Sequence, residues 1–306
     1  MDYGSQEART SAASPADDNG GDERARLAAK AYRTVRVEID DAIRNNWLEL
    51  WYQPKIDLRN LHFIGAEALA RIRHPELGVL LPRSFLPAIS EANLARLTEH
   101  AVLTAMRNWS TFDQAGFNLH LAINVPIGVL LQAPIAQLID ENRPAAAHWP
   151  GLIIEVKHDQ FVQELENGQK IAAQLRPHGV TISIDNFSGG YGSFAHLRTL
   201  EFAELKLDLG LVRNCASNST NAIICHTAID FAHRFHLAVV AEGMESSADM
   251  QALRRMGCDF GQGVLVAPPL PVDGFLDLLR QRVVKPAAPA ASDMALGPRL
   301  SINRVA

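Results

Sequence analysis

The stretch Thr181–Tyr191, TISIDNFSGGY, constrains the fold more than any other part of the chain. Strand side chains alternate faces, so Val180, Ile182 and Ile184 point one way and Thr181, Ser183 and Asp185 the other. The apolar face suits a covering layer of helices. The polar face ends in Asp185 and Asn186. Ser188, Gly189 and Gly190 then allow a tight turn without a β-carbon penalty. An acidic residue at the carboxyl end of a buried strand, followed by a Gly-rich loop, is where α/β proteins keep their chemistry.

The same alternation between strand and helix patterns runs along much of the chain. Strands are predicted near Leu48–Ile56, Phe63–Leu69, Asn118–Asn124, Leu152–Val156, Val180–Asp185, Ala203–Asp208, Ala238–Glu242 and Phe260–Val266. Helical patterns are clearest at Ser84–Asn108, Asp159–Leu175, Asn221–Phe235 and Ser247–Met256. About eight strands interleaved with helices over roughly 240 residues favour an α/β barrel of the TIM type, (β/α)8, over an open doubly wound sheet. The short Asp57–His62 connection suits an antiparallel hairpin better than a crossover.

Outside this region the composition changes. Residues 1–23 are rich in Ser, Ala, Asp and Gly, which predicts a disordered tail. From about Arg24 to Asn46, Leu27, Ala31, Val35, Ile39 and Ile43 form a narrow apolar stripe, the pattern of an amphipathic helix. That helix suits either a lid or a signalling and dimerising element. The barrel is expected over 42–282, and the Pro/Ala-rich stretch 285–306 reads as a flexible tail.

Charge and cysteine content narrow the function classes. The formal net charge of −5 gives no general basic field, which argues against duplex nucleic acid as main partner. No run of about 18 apolar residues suggests a membrane span. The N-terminus lacks the apolar core of a signal peptide. Cys215, Cys225 and Cys258 are odd in number, lack metal-ligand spacing, and fit reduced thiols in the cytoplasm.

Several predicted strands repeat the arrangement at Asp185. One end of a barrel would collect Glu67, Asn124, Glu155, Asp185, Asn186, Lys206, Glu242 and Gln262, with Arg71 on the same face as Glu67. Any one of these is explained as a polar group at the barrel mouth, satisfied by its neighbours. The set is harder to explain that way. Clustered buried carboxylates raise one another's pKa unless a cation sits among them. One lysine and one arginine do not neutralise Glu67, Glu155, Asp185 and Glu242. Mg²⁺ or Mn²⁺ suits such oxygen ligands, and two such ions suit phosphodiester hydrolysis.

The motifs YQPKIDL (Tyr52–Leu58), EALARIRHP (Glu67–Pro75), PRSFLP (Pro82–Pro87), IDNFSGGYGS (Ile184–Ser193), LKLD (Leu205–Asp208), AEGME (Ala241–Glu245) and GCDFGQG (Gly257–Gly263) occur here in that order, with Asn124 and Glu155 between them. From about Ala42 to Leu279 the chain resembles the EAL-domain cyclic-di-GMP phosphodiesterases. The resemblance implies a modified barrel with one antiparallel strand, and hydrolysis of cyclic di-GMP to linear pGpG with Mg²⁺ or Mn²⁺. It implies that Glu67, Asn124, Glu155 and Asp185 hold a first metal. Asp185, Asn186 and Glu242 would surround a second. Lys206 would orient or deprotonate the attacking water, its pKa lowered by surrounding cations. Arg71 would meet a substrate phosphate and Gln262 a base or phosphate edge. Glu245, His158 and Asp208 would give support. Family habit also implies a homodimer. The 24–46 helix resembles the connector that often precedes this domain, and a signalling partner would be reached through it.

The chain departs from the family pattern around one loop. Asn186 stands where a second aspartate is usual, and it offers a neutral oxygen, which weakens the second metal site. His158 replaces a glutamate that usually braces that loop, and Ser188-Gly189-Gly190 replaces Gly-Thr-Gly. Ile72, Leu209 and Leu211 are milder departures. A cyclic-di-GMP phosphodiesterase that is slow or selective for metal, weakened by Asn186 and His158, is the first expectation; Asn186 reads either as drift or as half of a tuned pair in which His158 compensates. A non-enzymatic cyclic-di-GMP receptor is the alternative, and a protein-binding scaffold ranks last.

Overall fold

A computed structural model of the protein describes residues 37, 39–188 and 202–283. The disordered-tail, flexible-tail and Gly189–Gly190 expectations, and residues 24–36 of the connector helix, lie outside the described residues. The apolar stripe enters them at α1, Ile39–Arg44, which buries Ile39 and Ala42.

The predicted hairpin forms the first wall of the sheet. β1 (Leu48–Asp57) pairs antiparallel with β2 (Phe63–His74). The turn between them is closed by Asp57, whose carboxylate accepts the Arg59 N–H at 2.6 Å. A short strand, β3 (Gly78–Leu80), absent from the sequence expectation, adds to the far end of β2. Then follow β4 (His120–Asn124), β5 (Leu152–Lys157), β6 (Val180–Phe187), β7 (Glu204–Leu207), β8 (Ala238–Ala241) and β9 (Phe260–Gln262).

The strands run β1-β9-β8-β7-β6-β5-β4-β2, and β2 pairs back to β1, so the sheet closes. β1 is antiparallel to both its neighbours, while β2 and β4 to β9 are mutually parallel. This is the modified TIM-type barrel, with β1 as its antiparallel strand.

The covering helices bury one stripe each against the barrel. Ser90 caps α3 (Glu91–Gln114) by accepting the Asn93 N–H, and α3 buries Val102, Met106, Trp109 and Phe112. Phe112 packs edge-on to Tyr52 of β1, and Phe275 of α11 (Val272–Val283) stacks on the same ring.

Several boundaries differ from the sequence expectation. The helix expected over Ser84–Asn108 is interrupted: Pro82–Phe85 (α2) leads into a 3₁₀ turn at Leu86–Ala88 before α3 begins. Pro87 breaks the continuous helix because it lacks a backbone donor. Asp159–Leu175 divides at Glu164 into α6 (His158–Gln163) and α7 (Leu165–Leu175). α4 (Ile127–Gln132), α5 (Ile135–Asn142) and α11 are additional. α8 (Leu209–Val212), α9 (Ser219–Arg234) and α10 (Ser247–Arg255) complete the set. The last strand stops at Gln262, short of Val266. Gly263 has φ +155, and a Cβ there would lie 2.3 Å from the backbone N and O of Met244. Only glycine fits that approach.

Candidate active site

The carboxyl ends of the parallel strands bring the predicted polar residues to one mouth. β2 supplies Glu67 and Arg71, β4 Asn124, β5 Glu155, β6 Asp185, β7 Lys206 and β9 Gln262; Glu242 follows β8 directly. At their centre stands Lys206, with no exposed surface. Its Nζ lies 2.6 Å from Glu155 Oε2, 3.1 Å from Glu67 Oε2, 3.1 Å from Glu242 Oε1 and 3.4 Å from Asp185 Oδ1.

Two amides complete the ring. Asn124 Nδ2 donates to Glu67 Oε1 at 2.6 Å, and Gln262 Nε2 donates to Glu67 Oε2 at 2.6 Å and Glu242 Oε1 at 3.1 Å. Glu67 therefore has donors on both oxygens. Burial pushes its pKa up, yet Lys206 and the two amides outweigh that and hold it below the usual value. Glu155 goes the other way: burial and the charge of Glu67 push it well up despite Lys206. Burial raises Glu242 to about 7.

Lys206 was expected to have its pKa lowered by bound cations; without them, carboxylates surround it. Burial opposes its charge, and Glu155, Glu67, Glu242 and Asp185 override burial and raise its pKa well above the ordinary range.

The donor set fits a hard cation. Glu155 Oε1 and Gln262 Oε1 are buried without a hydrogen-bond donor, and Asp185 Oδ1 has only the long contact to Lys206. Such orphaned acceptors carry a desolvation cost that a bound cation removes. Among the described residues no three His, Cys, Asp or Glu side chains form a ready coordination shell. The physical reason is Lys206, around which the carboxylates are gathered. Of the orphaned carboxylate oxygens, Glu155 Oε1 is the one not engaged by Lys206, while Asp185 Oδ1 faces the ammonium.

Asn186 lies beside this centre. It is exposed, with φ +58, between the buried Asp185 and Phe187. The β6–β7 register shifts between Ile184 and Phe187, so Asp185-Asn186 forms a bulge. Asparagine is among the few residues that tolerate left-handed backbone.

The supporting residues are scattered. The His158 ring stands edge-on to Phe187, with centroids 5.5 Å apart, next to the bulge. Asp208 caps α8 by accepting the Gly210 N–H at 2.7 Å. Glu245 is exposed and pairs with Arg213. Neither Asp208 nor Glu245 hydrogen-bonds to the Lys206 cluster.

Sequence reasoning missed a second charged layer. Lys55 and Glu204, 1% and 2% exposed, pair inside the barrel, with Lys55 Nζ 2.7 and 2.9 Å from the two Glu204 oxygens. The signal was present. Lys55 lies two residues after Gln53 on the inward face of β1, and Glu204 two residues before Lys206. The partner across the barrel was not visible in either local pattern.

Comparison with known proteins gives the family and the fold. The family model described as EAL domain matches residues 36–269. This chain belongs to the EAL domain family. An uncharacterized protein of Mycobacterium tuberculosis is 32% identical over 266 residues, covering 86% of this chain and 43% of the relative. The bifunctional diguanylate cyclase/cyclic di-GMP phosphodiesterase MucR of Pseudomonas aeruginosa is 34% identical over 247 residues, 78% of this chain and 35% of MucR. The chain thus spans less than half the length of these curated relatives. The solved MucR phosphodiesterase, in complex with cyclic di-GMP, superposes with a TM-score of 0.69 at 32% identity, over 78% of this chain and 98% of that one. Among the described residues no helix is long and apolar enough to cross a membrane.

Proposed function

We propose that this EAL domain hydrolyses cyclic di-GMP to linear pGpG at a two-metal site, working in the cytoplasm. The observation that carries the reading is Lys206 Nζ within 3.4 Å of four carboxylates at the barrel mouth, beside buried oxygens that lack donors. Glu67, Asn124, Glu155 and Asp185 would hold the first Mg²⁺ or Mn²⁺. Asp185, Asn186 and Glu242 would hold the second, more weakly. When bound, such ions lower the pKa of a water and neutralise charge developing on phosphoryl oxygens.

The chain's own groups do the rest. Arg71 binds a phosphate of the dinucleotide. Gln262 offers its free Oε1 to an N–H on a base edge, while a phosphate edge would need its Nε2, which Glu67 and Glu242 now hold. Lys206, released from part of its carboxylate cage, orients the attacking water; to take that water's proton it first passes its own to a neighbouring carboxylate such as Glu242. The barrel over 42–282 carries the site, and the 24–46 helix serves dimerisation or a signalling partner.

The second reading is a cyclic-di-GMP receptor without turnover. Asn186 favours it, because an exposed neutral amide on the bulge supplies no anionic ligand to a second metal. Steady-state conversion of cyclic di-GMP in Mg²⁺ and in Mn²⁺ separates the two. Turnover by wild type and none by Lys206→Ala supports the enzyme. No turnover by wild type, with dinucleotide binding retained, supports the receptor.

A further inference from the structure

The β1–β2 ladder places Glu49 directly opposite Arg71. In an antiparallel pair such residues share a face and are well placed for an ion pair. Here no such pair forms. Glu49 Oε1 accepts Trp51 Nε1 at 2.7 Å and lies 2.9 Å from Arg73 Nη2. Glu49 Oε2 accepts Arg73 Nε at 3.2 Å. Both oxygens of the carboxylate are thereby engaged.

Arg71 is left with weaker company. It is 7% exposed, and its Nη1 donates to the Ala70 carbonyl at 2.8 Å rather than to a carboxylate. Its Nε is buried without an acceptor. Its Cζ sits 5.7 Å from the centre of the Trp51 ring. The charge of Glu67 favours its cation from beyond ion-pair distance, but a buried guanidinium with no carboxylate in contact is costly unless something else supplies the anion. Trp51 offers an aromatic face that accommodates the cation without neutralising it.

We propose that Glu49, Arg73 and Trp51 form a clamp that reserves Arg71 for the phosphate of the incoming ligand. Arg73 holds Glu49 away, and Glu49 in turn fixes the indole against which Arg71 rests. All three are positioning residues. The proposal rests on the reading above that Arg71 meets a phosphodiester of cyclic di-GMP.

The test is calorimetric binding of cyclic di-GMP to the full chain in EDTA, which suppresses turnover. Arg73→Leu frees Glu49 to pair with Arg71, and binding weakens about tenfold, the scale of one charge-assisted contact. Glu49→Gln together with Arg73→Leu restores it to within about threefold, because the competing charge is gone. Trp51→Leu weakens binding several-fold, and Trp51→Phe, which keeps a ring but loses the Nε1–H that Glu49 holds, falls between Trp51→Leu and wild type. Wild-type affinity in Arg73→Leu, or a double variant as weak as the single, overturns the clamp.

A second readout does not depend on the ligand. The Arg71 Hε resonance, assigned by its loss in Arg71→Lys, is shifted by the Trp51 ring in wild type. It moves in Trp51→Leu and in Arg73→Leu. An unshifted wild-type resonance overturns the clamp. Failure of wild type to bind the dinucleotide, with the resonance behaving as stated, overturns the assigned ligand and leaves the clamp standing.

Discussion

Lys206 and Glu155 meet at 2.6 Å, and neither side chain exposes any surface. The pair is the innermost contact of a cluster in which one ammonium answers four carboxylates. Glu155 keeps a raised pKa even at that distance, because burial and Glu67 both oppose its charge. The excess of negative charge is what a divalent ion would offset.

Removing the ammonium exposes that excess. Lys206→Met is expected to cost about 3–5 kcal/mol at pH 8, the range for deleting one partner of a buried ion pair. The loss shrinks as pH falls, because Glu155 and Glu242 can then bury themselves neutral. Urea unfolding at pH 5 and pH 8 checks this, and an equal loss at both values contradicts it. Mg²⁺ or Mn²⁺ should recover part of the stability at pH 8.

Glu242 gives a pH dependence to the wild type. Its pKa rises from 4.5 to about 7 on folding. Between those values the native state binds more protons than the unfolded chain, so stability falls as pH rises. The contribution is present in full below about pH 4.5 and is lost as pH passes about 7. Its size is at most about 3 kcal/mol. Glu67 has the opposite sign: its lowered pKa adds stability above the ordinary carboxylate range, lost as pH falls through its folded value. In metal-free buffer, urea unfolding from pH 5 to 8 should show a declining curve, flattened in Glu242→Gln. Metal affinity should rise over the same window, since the proton must leave before the ion binds.

The Lys55–Glu204 pair makes a prediction about folding alone. Lys55→Met or Glu204→Leu leaves a lone buried charge and should cost about 3–5 kcal/mol. The double variant should recover most of that, because two apolar groups of similar volume fill the layer. Chemical denaturation of the three variants forms the cycle. An additive double variant would show that the two charges are not coupled.

Much of this was legible in the sequence, for a physical reason. Strand alternation fixes which face Glu67, Asn124, Glu155, Asp185 and Lys206 occupy, and parallel strands bring their ends to one mouth. The hairpin at Asp57–His62 was readable from its length. What was not legible depends on contacts across the barrel. No local pattern tells Lys55 that Glu204 lies opposite, or Glu49 that Arg73 holds it rather than Arg71. The early stop of β9 depends on Met244 pressing against Gly263. Nor does any local pattern show that the charges arriving within 3.4 Å of Lys206 in the metal-free site are all carboxylates.

Asn186 is the position where catalytic strength should be set. Its backbone is left-handed on an exposed bulge, so Asn186→Asp changes charge with little change in packing. Stability should move by less than about 1 kcal/mol, because aspartate also tolerates this conformation. The added carboxylate stands beside Asp185 and gives a second metal an anionic ligand in place of a neutral one. Mn²⁺ should therefore half-saturate turnover at a concentration about tenfold lower, a gain of about 1.4 kcal/mol in metal binding. A Mn²⁺ titration of cyclic-di-GMP hydrolysis in wild type and Asn186→Asp measures this directly. Unchanged Mn²⁺ dependence would mean that residue 186 does not reach the second metal. Turnover in Asn186→Asp alone would mean that this one amide separates a receptor from an enzyme.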